Sequence, residues 1–141
     1  MLENSKQNPF SFGTISMPRI LSLDTEPEVL ELLHTIFVRA GYEHLYTTDN
    51  EEALAILRKG GIDLFTQNIL HYDLNGCEFY QMMQSECALK NIPVLLITSL
   101  DPATLPSDYF KMIAPLYPKH YISMPFGPKK LLTAVETTLK G

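Results

Sequence analysis

The sequence predicts an α/β fold, a doubly wound five-stranded parallel sheet in a single domain. Short apolar segments alternate five times with longer segments whose apolar residues recur at helical spacing. This alternation is typical of parallel sheets, because right-handed crossovers place helices on both faces of the sheet. A chain of 141 residues is also long enough to bury the core of one such domain.

The first strand is predicted at residues 19–23 and the first helix from Pro27 onward. Pro27 suits the first turn of a helix because its ring fixes φ. Apolar residues then recur every three or four positions up to Ala40, and Gly41 favours helix termination. We therefore expect one complete strand–helix unit here.

A second strand is predicted at residues 43–47, followed by a second helix. Asp49 and Glu52 have the spacing of a capping box, in which each side chain accepts a hydrogen bond from the other's backbone N–H. The helix is expected to end at Gly60.

The third strand is predicted at residues 62–67 and is expected to stop at the polar Asn68. Working sites of open parallel sheets lie beyond the carboxyl ends of the strands, so Asn68 lies where chemistry is expected. An amide, however, is neither a nucleophile nor a general base at neutral pH. Asn75 and Glu78 predict the start of a third helix, whose inner or half-buried residues are Phe79, Met82, Met83 and Cys87.

The fourth and fifth strands are predicted at residues 92–98 and 119–124. The fourth is apolar almost throughout, which predicts a central strand with Pro93 at its start. Four prolines between the two strands leave room only for a short helix at about residues 107–114. After the fifth strand we expect a last helix with four apolar residues inside: Leu131, Leu132, Val135 and Leu139.

Composition argues against several classes of protein. The net charge is -5 and no run of Lys or Arg occurs, which argues against nucleic-acid binding. No signal peptide and no apolar stretch of membrane length is visible, so a cytoplasmic protein without membrane contact is expected.

Cys77 and Cys87 fall in one predicted helix, roughly 15 Å apart. This separation is too long for a disulfide bond, so both cysteines are expected to be reduced thiols or half-buried core residues.

No arrangement of side chains predicts an enzyme or a cofactor site. His34 is expected on a helix surface, and the other histidines lack metal-ligand spacing: His44, His71 and His120. Ser99 has no evident base, and Asp73 is interpreted as a turn-forming residue. Residues 1–18 are interpreted as an N-terminal arm; alternatively Phe10 and Phe12 dock on the domain or on a partner.

Taken in order, these segments resemble the receiver domain of two-component response regulators. The resemblance covers about residue 19 to the C terminus and depends on residues 20–27, 41–42, 50–54, 63–64 with Gly76, 92–94, Thr98 and 121–126. It implies a flavodoxin-like fold with strand order 2-1-3-4-5 and a role in signal transduction.

The resemblance also implies a phosphate-accepting site, and this chain departs from it. The family has an acidic pair after the first strand, a phosphoaccepting Asp after the third, a hydroxyl residue after the fourth and a Lys-Pro after the fifth. At the matching positions this chain has Asp24 and Thr25 for the acidic pair and Asn68 for the phosphoaccepting Asp. Thr98 matches the hydroxyl residue, and Met124 stands where the family has Lys. One carboxylate and an amide are not expected to hold Mg²⁺, so no metal is predicted and Asp24 with Glu26 is only a secondary candidate.

The sequence therefore predicts a pseudo-receiver that binds proteins without being phosphorylated. In the family the signalling face comprises the fourth helix, fifth strand and fifth helix. Here it carries four aromatic residues expected to contact a protein partner or a second copy: Tyr109, Phe110, Tyr117 and Tyr121. Two alternatives remain open, a phosphoreceiver that uses another acid such as Asp73, and a small-molecule sensor that uses the neutralised pocket. The isomer of the Met124–Pro125 bond also stays open, although in the family it is usually cis.

Overall fold

In a computed structural model of the protein, the described residues are 17–69, 78–99, 104, 106–108, 111, 114–116 and 118–141. Within them, five parallel strands form one sheet in the order β2-β1-β3-β4-β5. The strands are β1 (Arg19–Leu23), β2 (Glu43–Thr47), β3 (Leu64–Ile69), β4 (Val94–Thr98) and β5 (His120–Ser123). The fold class and the strand order implied by the family resemblance are thus confirmed.

Four α-helices are described beside this sheet. They are α1 (Pro27–Arg39), α2 (Asn50–Lys59), α3 (Glu78–Gln84) and the C-terminal helix α4 (Pro128–Lys140). The chain also forms a short 3₁₀ turn at Ala114–Leu116. Of the short helix expected at residues 107–114, only residues 107, 108 and 111 are described as helical. No helix of the described residues is long and apolar enough to cross a membrane.

Two apolar layers hold the sheet, one on each face. The layer beneath α1 and α4 comprises Ile20, Leu33, Phe37, Leu64, Leu95, Ile97, Ile122, Leu131 and Val135. The layer beneath α2 and α3 comprises Leu21, Leu23, Ala53, Leu57, Ile62, Phe65, Met83, Leu89 and Val94. Because β4 lies inside the sheet and is covered on both faces, all five of its residues are buried, as the apolar run predicted.

The bounds of β3 and β4 differ from those expected. β3 begins at Leu64, two residues late, and continues through Asn68 to Ile69 because these residues keep pairing with β4, Asn68 opposite Ile97. β4 begins at Val94, since Pro93 has no N–H to give to a ladder. Asn68 is therefore a strand residue and not the first residue after the strand.

The predicted capping box of α2 does not form between Asp49 and Glu52, although Asp49 is the capping residue. Asp49 does cap the helix, with its side chain accepting from the N–H of Glu51 at 3.1 Å. Glu52, however, accepts from the hydroxyl of Thr47, and the N–H of Asp49 donates to the same hydroxyl oxygen at 3.0 Å. Thr47 therefore stands between the two residues that were expected to bond directly.

The helix expected to contain both cysteines is shorter than predicted. α3 ends at Gln84, so Cys87 lies beyond it as an exposed free thiol. Cys77 lies outside the described residues, as do the N-terminal arm up to residue 16 with Phe10 and Phe12, and also His71 and Asp73.

Candidate functional site

A carboxylate and an amide meet at the carboxyl ends of β1 and β3. The side-chain amide of Asn68 donates to Asp24 Oδ2 at 2.6 Å. The adjacent residues Leu23 and Gln67 are paired in the sheet, so the main chain places Asp24 and Asn68 opposite each other. This hydrogen bond joins two of the residues that the sequence assigned to the candidate pocket.

Asp24 is held on its other side by the start of α1. It is buried, 4% exposed, and its Oδ1 accepts from the backbone N–H of Glu26 at 2.9 Å. Glu26 is the residue that precedes the first turn of α1, where the partial positive charge of a helix favours an anion. Both carboxylate oxygens of Asp24 therefore have a protein donor.

Asn68 keeps one unused acceptor. Its Oδ1 is buried and has no hydrogen-bond partner among the described residues. The opposite amide orientation would bring an oxygen against the Asp24 carboxylate, so chemistry favours the amide nitrogen on that side. Asn68 consequently presents a buried carbonyl oxygen that is able to accept from an N–H or O–H group.

Thr98 and Met124 are brought together at the ends of β4 and β5. The backbone N–H of Met124 donates to the carbonyl oxygen of Thr98 at 2.7 Å, and Thr98 is fully buried. The Met124–Pro125 bond, whose isomer the sequence left open, is cis. Met124 is half-buried and packs with Phe126 against the apolar layer beneath α1 and α4.

Magnesium ions do not fit the described side chains of this site as they are arranged. The side chains of Thr25 and Glu26 are exposed, whereas Asp24 is buried with both oxygens engaged. No group of three His, Cys, Asp or Glu residues suited to a metal occurs in the described part of the chain. Hard divalent cations prefer several oxygen ligands, and the donor set of one carboxylate and one amide falls short of that.

Only part of the predicted binding face lies in the described structure. Tyr121 on β5 is 42% exposed. It borders a groove of about 800 Å³ with Lys129 and Lys130 from α4. The other three aromatic residues, Tyr109, Phe110 and Tyr117, lie outside the described residues.

Sequence reasoning missed a contact between two histidines. His34 Nδ1 on α1 lies 3.0 Å from His44 Nδ1 on β2, although His34 was expected on a helix surface and His44 showed no ligand spacing. His44 is 8% exposed, and burial, with His34 contributing, lowers its pKa to about 4. No local pattern marks His44 as inward, since β2 buries only His44 and Thr47 and exposes Leu45, and the sequence does not reveal where α1 crosses the strand.

Comparison with protein families gives one assignment that covers most of the chain. The model of the response regulator receiver domain matches residues 20–136. The matched segment begins at the second residue of β1 and includes the other four strands and most of α4.

Curated relatives share about a quarter of their residues with the chain. The probable transcriptional regulator ycf27 of Porphyridium aerugineum is 27% identical over 122 residues, which cover 86% of this chain and 48% of the relative. The response regulator SaeR of Staphylococcus aureus is 25% identical over 123 residues, covering 87% of this chain and 51% of the relative. The chain thus spans about half the length of the curated relatives it matches.

Solved structures of similar fold are numerous. The chemotaxis response regulator CheY4 of Vibrio cholerae matches with a TM-score of 0.70 and 23% identity, covering 87% of this chain and 99% of that chain. A CheY-like response regulator receiver domain protein from Methanospirillum hungatei matches with a TM-score of 0.70 and 22% identity, covering 89% and 95%. At these identities the likeness establishes the fold.

Proposed function

Because the chain belongs to the response regulator receiver domain family, we propose that it is a pseudo-receiver. In this proposal it acts in two-component signalling by binding a protein partner and takes no phosphate at the end of β3. Receiver domains are signalling domains that interact with other signalling proteins. What is proposed for this chain is that its interaction does not depend on phosphorylation.

The observation that carries the proposal is the hydrogen bond between Asn68 and Asp24. Where the family resemblance implies a phosphoaccepting carboxylate, Asn68 has an amide, which is not nucleophilic. This amide donates to Asp24 at 2.6 Å, so the one buried carboxylate of the site is bonded to a neutral donor. The pair is a charge-assisted hydrogen bond, which is shorter and stronger than a neutral one.

The residues around this pair support the same conclusion. In the family resemblance Met124 stands where a Lys is expected, and it packs against apolar side chains. A thioether occupies the space without needing a counter-charge, whereas a half-buried ammonium would need one. The loss of the Lys is therefore consistent with the loss of the carboxylate at Asn68.

The proposed partner surface is the face of β5 and α4, and the sequence alone adds Tyr109, Phe110 and Tyr117 to the residues expected to contact the partner. Tyr121 is exposed at 42%, and aromatic side chains on a surface favour protein contacts. Lys129 and Lys130 border the same groove, which favours a partner with acidic and apolar groups. A second copy of this chain, with its net charge of -5, meets the same description. We place this activity in the cytoplasm.

Intact mass after incubation with acetyl phosphate and Mg²⁺ tests the proposal. The wild-type chain is expected to gain no phosphoryl group, because no carboxylate stands at the end of β3. The matched control is the triple variant Thr25→Asp, Asn68→Asp, Met124→Lys, which supplies the three groups that the family resemblance implies. A phosphoryl adduct on the wild-type chain would overturn the proposal and favour a phosphoreceiver that uses another acid such as Asp73.

A small-molecule sensor is the second candidate, favoured by the unpartnered Oδ1 of Asn68. A buried carbonyl oxygen without a donor is costly and is satisfied by a ligand N–H or O–H. A thermal-shift screen of polar metabolites against wild-type and Asn68→Leu chains tests this reading, since a ligand of the native state raises the melting temperature. Stabilisation lost in the Asn68→Leu variant would support the sensor, and no stabilisation would count against it.

A further inference from the structure

Four polar side chains form a hydrogen-bonded chain across the layer of the sheet that faces α1. His34 Nδ1 lies 3.0 Å from His44 Nδ1, and His44 Nε2 lies 2.8 Å from Ser22 Oγ. The hydroxyl of Thr66 donates to Ser22 Oγ at 2.6 Å. The chain thus links α1, β2, β1 and β3 in sequence, from half-buried His34 to fully buried Thr66.

The donors along this chain have one consistent direction. Ser22 Oγ accepts from Thr66, so its own hydrogen is available for His44 Nε2. An imidazole that accepts at Nε2 carries its proton on Nδ1, and His44 then donates from Nδ1 to His34 Nδ1. His34 is left with its proton on Nε2. Every link is satisfied when both imidazoles are neutral.

A proton on each imidazole breaks this arrangement. With both Nδ1 atoms protonated, two N–H groups would face each other across 3.0 Å. When His44 is charged, its Nε2 also becomes a donor. Ser22 Oγ must then accept hydrogen bonds from both His44 and Thr66, and the hydrogen of the Ser22 hydroxyl no longer has an acceptor in this chain. The neutral pair is therefore the form that suits the folded contact.

The groups that contact the His44 ring carry no counter-charge, and Glu31, the carboxylate one turn before His34 on α1, is exposed. His44 lies edge-on to Phe37 at 5.0 Å and stacks on Tyr46 at 5.5 Å, and Tyr46 also lies 5.1 Å from the ring of His34. The titratable groups that meet His44 are thus His34 from α1 and Tyr46 from β2, while β1 contributes the hydroxyl of Ser22. Among the described residues, no carboxylate forms an ion pair with either imidazole.

We infer that His34 and His44 form a pH-operated latch, which fastens α1 to the edge strand β2 while both imidazoles are neutral and releases that edge on acidification. Among the described strands, β2 is bonded only to β1, and it is held in addition by the packing of α1 and, at Thr47, by hydrogen bonds to the start of α2. Loss of the latch is expected to open β2 and α1 locally before the interior strands.

The sign of the pH effect follows from where the proton binds more tightly. In the folded state the pKa of His44 is lowered to about 4, whereas an exposed histidine in the opened state has a pKa of ~6.5. The opened state binds more protons between these values, so closure is fully favoured above pH ~6.5 and is lost as the pH falls toward 4. From pH 7 to pH 5 the opening equilibrium of β2 should rise about twentyfold.

Two NMR measurements on the full chain test the latch. Long-range proton–nitrogen spectra at pH 7.5 should show His44 as the Nδ1–H tautomer and His34 as the Nε2–H tautomer. Native-state hydrogen exchange, corrected for intrinsic rates, should show the twentyfold rise for β2 amides and a smaller rise for β4 amides. Equal rises in β2 and β4, or His44 as the Nε2–H tautomer, would overturn the inference.

Three variants separate the pair from other acid effects. His44→Phe keeps the aromatic packing without a titrating group and should reduce the β2 response to less than twofold. His34→Gln, on the half-buried side, offers an amide oxygen to His44 and should give a response clearly below that of wild type; an unchanged response would exclude His34 from the latch. His120→Gln, a histidine on β5, is the matched control and should leave the β2 response intact.

A metal bridge between the two Nδ1 atoms is the competing explanation of their 3.0 Å separation. The exchange experiment is therefore run with and without EDTA, and again with added Zn²⁺. The latch predicts the same protection of β2 in the first two samples and no gain with Zn²⁺. Protection that EDTA removes and Zn²⁺ restores would replace the hydrogen-bonded latch with a metal site.

Discussion

Two hydrogen-bonded pairs join β1 to β3, and they differ in charge and in surroundings. Ser22 and Thr66, paired at 2.6 Å, are neutral and at most 1% exposed. Asp24 and Asn68, each two residues further along the chain and also 2.6 Å apart, include a carboxylate and lie at the carboxyl ends of the two strands. The inner pair continues into the histidine chain, whereas the outer pair leaves a carbonyl oxygen without a partner.

The inner pair has a structural role, whereas the outer pair keeps a group that is able to bind a ligand. Ser22 Oγ has a protein partner on each side and Thr66 donates to it, so this buried pair stabilises the sheet. At the outer pair, the carboxylate is satisfied by Asn68 and by the start of α1, and only Asn68 Oδ1 remains as a group to be recognised. β1 and β3 are thus joined by a fully hydrogen-bonded buried pair within the sheet and have a candidate ligand-binding site at their carboxyl ends.

The largest expected effect comes from Asn68→Asp, which gives the outer pair two carboxylates in contact. Repulsion at this distance should lower the free energy of unfolding at pH 7 by about 2 kcal/mol, since two carboxylates in contact at a largely buried site repel each other. Chemical denaturation with and without Mg²⁺ measures this. Mg²⁺ should recover much of the loss in the variant and leave the wild-type chain unchanged. A variant as stable as wild type without Mg²⁺ would show that the two side chains do not meet.

Thr66→Val tests the inner pair with a smaller expected effect. The substitution keeps the shape of the side chain, removes the donor to Ser22 Oγ, and should lower the free energy of unfolding by about 1 kcal/mol. The matched control is Thr137→Val on the exposed face of α4, whose hydroxyl donates only to the carbonyl of Thr133 in the same helix. Equal effects of the two substitutions in urea unfolding would remove the distinction between the buried pair and an ordinary surface hydroxyl.

Glu86→Gln gives the smallest expected effect. Arg58 donates to both oxygens of Glu86, at 2.9 and 2.8 Å, but the two side chains are 53% and 30% exposed and water screens their attraction. The midpoint of urea unfolding should stay within experimental scatter of wild type. A loss comparable to that of Thr66→Val would mean that this surface ion pair contributes as much as a buried hydrogen bond.

Much of the fold was predictable because local pattern and tertiary structure agree. The bounds of β1 and β2 are those expected, and α1 begins at Pro27 as its ring geometry suggested. The strand order came from the family resemblance and not from the pattern itself. β3 was misjudged because polar Asn68 was taken as the end of the strand, whereas its backbone continues to pair with Ile97.

The candidate site was predictable by position but not by contact. Asp24 and Asn68 were assigned to one pocket because strand ends converge, and the structure adds that they are directly bonded. The histidine contact depends on where α1 crosses β2, and no local spacing encodes that crossing. The capping of α2 similarly depends on Thr47, which lies in the preceding strand and outside the predicted motif.

The side-chain amide resonance of Asn68 tests the central claim most directly. It is identified in proton–nitrogen spectra by its loss in the Asn68→Leu variant and followed while Mg²⁺ and acetyl phosphate are added. We predict a resonance shifted by its bond to Asp24 that does not move during either titration, because neither ion displaces the amide. A saturable shift with Mg²⁺, followed by a further change with acetyl phosphate, would show that the site still accepts metal and phosphate and would contradict the account.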